Sequence, residues 1–72
     1  MMNDMHNQLH DLYFNTALNY IVAYNGDDLD SYSRWEQTLL DLRNIMVEFG
    51  FKPKQIQSIF ESAKEFYEEH KE

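Results

Sequence analysis

Apolar residues recur at helical spacing in three blocks of this chain. The first block holds Leu12, Tyr13, Phe14, Ala17, Leu18, Tyr20, Ile21, Val22 and Tyr24. At about 100° per residue these positions sweep an arc of roughly 200°. Asn15, Thr16, Asn19 and Ala23 remain as its solvent face. The second block has a main stripe of Trp35, Leu39, Leu42, Ile45, Met46 and Phe49, flanked by a ridge of Leu40 and Val47. The third is a narrow stripe of Ile56, Ile59, Phe60, Ala63, Phe66 and Tyr67. Gln57, Ser58, Glu61, Ser62, Lys64, Glu65, Glu68 and Glu69 cover its other side. One proline and two glycines are too few for an all-β fold, which needs a turn about every 8–12 residues.

Local signals bound the blocks. Asn25-Gly26 suits a left-handed cap at the end of a helix running from about residue 4 to 24. Asp27 to Tyr32 then reads as an acidic loop. Ser33 with Glu36 forms a capping-box pattern that opens a second helix, over about 33–49, which stops at Gly50. Pro53 suits the first turn of a third helix, where its missing N–H costs nothing. That helix runs over about 53–69 and frays at His70-Lys71-Glu72. The expectation is one all-α domain over residues 1–72, a compact bundle of three helices. A tight turn at Gly50, like that of a helix-turn-helix, joins the second helix to the third. A first helix with so wide an apolar arc is either wedged between the other two or meets another molecule.

Composition narrows the class. The chain has 72 residues and no cysteine, which excludes disulfides and thiolate zinc sites. Thirteen acids against six bases give a formal charge of -7, the wrong sign for gripping phosphates or an anionic membrane. The same balance permits a basic partner. Aromatic residues make up 15% of the chain, enough to strengthen a small core and to anchor an interface. No apolar run approaches the ~18 residues needed to span a bilayer. Met1-Met2-Asn3-Asp4 lacks the basic and apolar regions of a signal peptide. A cytoplasmic protein is expected.

Around Gly50, apolar residues fall at Ile45, Met46, Phe49, Phe51, Ile56 and Ile59. This is similar to the helix-turn-helix pattern, in which such positions pack a recognition helix against its predecessor. Met46 stands where that pattern usually has alanine, and the preceding helix is about twice the usual length, so a plain helical hairpin joined through a glycine is the alternative that matches most of these positions. Lys52, Lys54, Gln55, Gln57 and Ser58 would lie on or near the presented face. Small size, acidity and this degenerate pattern together resemble small phage antirepressors of the modulator-of-repression kind. The resemblance implies a protein that binds a repressor's DNA-binding domain and blocks operator contact.

The acidic loop is the second candidate feature. Asp27, Asp28 and Asp30 lie beside Tyr24, Tyr32 and Trp35, and carboxylates among aromatics can imitate phosphates flanking bases. The alternative for the same residues is a solvated loop with helix-start acids. A calcium-loop frame from Asp28 fails, because it needs glycine at Ser33 and glutamate at Leu39. His6 and His10 share a helix face, but no glutamate or distant ligand completes a metal site, and they lie near a terminus expected to fray. No phosphate loop, serine elbow or cysteine nucleophile is present, so neither catalytic residues nor a cofactor are expected.

These features point to a small acidic regulator that inhibits a basic nucleic-acid-binding protein by occluding its DNA-binding surface. Its contacts would be Tyr24, Asp27, Asp28, Asp30, Tyr32 and Trp35 in one patch and Phe51, Lys52, Lys54 and Gln55 in another. Two alternatives stay open: a dimeric helix-turn-helix regulator that binds DNA directly, and a self-associating helical assembly subunit.

Overall fold

The computed structural model describes residues 2–70, with side chains from Asp4 onward. It contains α1 (Met2–Asn25), α2 (Leu29–Glu48) and α3 (Pro53–His70). The fraying expected of Lys71 and Glu72 lies outside the described residues. At 1.5 Å per residue α1 is about 36 Å long, and it sets the long axis of a molecule measuring 38 × 25 × 19 Å. The helices run up, down and up. The α1–α2 turn and the end of α3 therefore lie at one end, and the α2–α3 turn lies at the other. α1 packs on both neighbours, whereas α2 and α3 touch each other little.

That arrangement explains the wide apolar arc. Leu9, Tyr13, Ala17 and Ile21 of α1 are buried between Leu39, Leu42 and Met46 of α2 and Ile56, Ile59 and Ala63 of α3. Phe14, Leu18, Tyr20, Phe51, Phe60 and Tyr67 pack around this core. α1 is the central wedge. The expected solvent face of α1 needs correction, because Thr16 (4% exposed) and Ala23 are buried while Leu12 and Val22 are exposed. Thr16 tolerates burial because its hydroxyl donates to the Leu12 carbonyl at 2.8 Å.

The stripe of α2 is corrected too. Leu39, Leu42 and Met46 are buried, but Ile45 and Phe49 are 42% and 45% exposed, and the Leu40–Val47 ridge is also exposed. With α2 packed chiefly on α1, its core-facing sector is narrower than one shared evenly between two neighbours. On α3, Phe66 is exposed yet meets Phe14 edge-on at 5.7 Å and stacks on His70 at 4.2 Å. Of the residues spaced like a helix-turn-helix, Met46, Ile56 and Ile59 are buried and Phe51 is half-buried.

The turns follow local chemistry. Gly50 adopts φ +97°. It closes α2 through bonds from its own N–H to the Val47 carbonyl (3.1 Å) and from the Phe51 N–H to the Met46 carbonyl (2.9 Å). α1 ends in the same motif, but one residue later than the Asn25-Gly26 signal suggests. The Asp28 N–H bonds the Ala23 carbonyl at 3.1 Å and the Asp27 N–H faces the Tyr24 carbonyl at 3.4 Å. The left-handed position is thus Asp27, with φ 57°.

α2 begins at Leu29, four residues ahead of Ser33. Its cap is Asp28, whose carboxylate accepts from the Ser31 N–H at 3.2 Å, and Asp30 adds an acid to the first turn. The expected Asp27–Tyr32 loop therefore shrinks, and Asp30 and Tyr32 become helical. At the start of α3, the Gln55 side chain accepts the Lys52 N–H at 2.8 Å, the reciprocal half of a capping box.

Candidate functional site

The structure separates the two expected patches. Tyr24, Asp27, Asp28, Asp30 and Tyr32 gather where α1 hands over to α2. Phe51, Lys52, Lys54 and Gln55 surround the α2–α3 turn at the other end. From His6, beside that turn, to Asn25, beside the first patch, α1 rises about 28 Å.

Three tyrosines organise the first patch. The Tyr20 and Tyr32 rings stack at 4.9 Å, and the Tyr24 ring lies 5.6 Å from Tyr32 at a tilt of 41°. The Tyr20 hydroxyl donates to the Tyr32 hydroxyl oxygen at 3.1 Å. That hydrogen bond, then burial and the nearby Tyr32, Glu36 and Tyr24 groups, push the Tyr20 phenol up to about 12. Tyr20 is half-buried and serves the fold, whereas Tyr24 is 63% exposed and Leu29 is 75% exposed. Trp35 is half-buried in the second turn of α2.

Tyr24 and Tyr32, with Ala23, Asn25, Asp27 and Leu29, line an open pocket of about 500 Å³. Acceptors predominate there. The Asn25 amide NH2 donates to the Ile21 carbonyl at 2.8 Å, leaving its oxygen as an acceptor. The end of α1 carries no basic residue in its last turn; its Val22, Ala23 and Tyr24 carbonyls accept from the backbone of the turn instead.

One component of this end was not anticipated. The up–down–up path brings Lys64 and Glu68 of α3 beside Tyr24 and Asn25 at the end of α1. Short connections between three helices carried that signal, because two tight turns force the first and third helices to run the same way. Lys64 lines a groove with Tyr20, Tyr24, Asn25 and Glu68.

The second patch is largely committed to the fold. Phe51 packs on the core and meets the His6 ring edge-on at 4.9 Å. Gln55 is occupied as a cap. Lys52 and Lys54 are exposed. His6 does not sit at a frayed end: its Nε2 is 2.8 Å from the Phe49 carbonyl oxygen, tying α1 to the end of α2. His10 Nδ1 faces Asp11 at 3.4 Å instead, so the two histidines have separate partners. Among the described residues, no group of three His, Cys, Asp or Glu side chains is placed to hold a metal ion. No helix among them is long and apolar enough to cross a membrane.

Buried Tyr13 forms part of a further groove, with Arg43, Pro53, Ile56, Gln57, Phe60 and Glu61. Burial lifts its phenol above the usual value, and Arg43 partly offsets this.

No family model, no curated protein and no solved structure matches the chain.

Proposed function

We propose that this protein is a small acidic regulator that binds a basic nucleic-acid-binding protein and occludes its nucleic-acid-binding surface, in the manner of an antirepressor or DNA mimic. The observation that carries this reading is the meeting of an exposed tyrosine ring and an exposed leucine with the carboxylates of Asp27, Asp28 and Asp30. Tyr24 and Leu29 are open to solvent, Asp27, Asp28 and Asp30 are exposed beside them, and Glu68 of α3 lines a groove with Tyr24 and Asn25. Rings of this kind supply affinity when a partner desolvates them. Acids spread over one end steer a basic partner toward it and compete for the residues that otherwise hold phosphates. The formal charge of -7 acts in the same direction.

The test is capture of binding proteins from the source organism's lysate on immobilised protein, with and without added duplex DNA. The expected result is one basic DNA-binding protein that is released when duplex is added. A variant with Asp27, Asp28 and Asp30 changed to Lys is expected to associate with that protein at least about tenfold more slowly in low salt. Its melting temperature should fall by several degrees, because Asp28 caps α2 and Asp30 offsets the positive start of that helix, so association is compared at a temperature where the variant is folded. Capture indifferent to DNA, or unchanged association of the folded variant, overturns the reading.

A further inference from the structure

We propose that the pocket between Tyr24, Tyr32, Asp27 and Leu29 is the seat for one arginine side chain of the partner. The inference rests on the reading above that the partner is a basic protein, and it assigns the anchoring contact. The pocket combines π faces, a carboxylate, an amide oxygen and an exposed aliphatic side chain. A guanidinium matches this set: its flat face stacks on a tyrosine, its fork of N–H groups meets Asp27, and its methylene stem lies along Leu29. A lysine ammonium brings the same charge without the planar stack or the paired donors.

The three aspartates at this end have different duties. Asp28 caps α2 through the Ser31 N–H, and Asp30 occupies the first turn of the same helix. Both offset the partial positive charge of the start of α2. Asp27 lies outside either helix and lines the pocket, and its carboxylate has no donor among the described residues. It stands at the end of α1, whose last turn carries no basic residue to pair with it. A cation supplied by another molecule completes this arrangement.

The test is a titration of isotope-labelled protein, followed by amide chemical shifts, with acetyl-Ala-Arg-Ala-amide. The same peptide carrying lysine or citrulline in place of arginine serves as the control. The expected result is a saturable shift at Tyr24, Asp27, Leu29 and Tyr32 with the arginine peptide. Lysine should bind more weakly and citrulline should not saturate. Asp27→Asn and Tyr24→Leu are each expected to weaken arginine binding about three- to fivefold. Thermal melts of both variants verify that they remain folded, and both positions are exposed.

Shifts spread over Asp28, Asp30, Glu65 and Glu69, equal for arginine and lysine, overturn the proposal in favour of a diffuse acidic field. An absence of saturation overturns it as well. The capture experiment separates the two levels. A partner released by DNA alongside a flat arginine titration removes the pocket alone. A saturable arginine site without any DNA-released partner removes the regulatory reading alone.

Discussion

Asp27 and Gly50 stand at equivalent positions in two helix-ending turns, yet only one of them is the residue the backbone favours. Left-handed backbone costs a residue with a Cβ about 1–2 kcal/mol, less for aspartate than for most. Glycine escapes that cost but gives up about 0.5–1 kcal/mol of chain entropy on folding. Asp27→Gly is therefore expected to stabilise the protein by about 0.5 kcal/mol, and more where it also relieves repulsion from Asp28 and Asp30. Gly50→Ala meets no atom within 4 Å, so only the backbone resists it. It should lower stability by about 1 kcal/mol, or about 4–8 °C in a domain of this size. Thermal melts of the two variants check both signs, and destabilisation by Asp27→Gly would contradict the account of Asp27. The sequence pointed clearly to Gly50, a single glycine followed by an apolar residue. It was ambiguous at Asn25-Gly26-Asp27, because three consecutive residues there tolerate positive φ. The bonds that mark the choice run from the Asp28 and Asp27 N–H groups to the Ala23 and Tyr24 carbonyls, within the turn itself, and residue type alone does not select among the three.

The tyrosine cluster joins α1 to α2, and its chemistry gives that junction a pH dependence. Tyr20 sits at about 12 in the fold against an ordinary value of 10.0, so the native state keeps a proton that the unfolded chain releases first. The contribution is present in full below the unfolded value and is lost as pH rises from about 10 toward about 12. Denaturation midpoints measured across that window are expected to fall with pH. The fall should be shallower in Tyr32→Phe, which removes the acceptor of the Tyr20 hydroxyl. Equal slopes in the two proteins would show that the hydrogen bond does not carry the shift. Existence and number of the helices were legible from periodicity. The start of α2 was not, because Asp28, Asp30, Ser31 and Ser33 all qualify as caps, and the earliest with a free N–H in reach prevailed. The tyrosine stack was hidden for a similar reason: Tyr20 and Tyr32 lie on different helices, and periodicity says nothing of which faces meet.

Over the whole molecule, the charge of -7 could be read from the composition, but the gathering of Glu68 with Tyr24 and Asn25 at one end could not. That gathering depends on the direction of α3, which no single amphipathic pattern encodes. The same topology leaves α3 held almost entirely by α1, since it touches α2 little. α1 and α2 keep their mutual contact when α3 departs, although Ile56, Ile59 and Ala63 leave the core with it. Native-state hydrogen exchange should therefore find amides of α3 opening at a lower free energy than the central amides of α1 and α2. Uniform protection across the three helices would mean that the bundle opens as one unit. An α3 that lifts on its own would carry Lys64 and Glu68 away from Tyr24, Asn25 and the acidic turn beside them. The electrostatic face offered to a partner would then be assembled and dispersed by the docking of one helix, so its strength would follow the fraction of molecules in which α3 is seated.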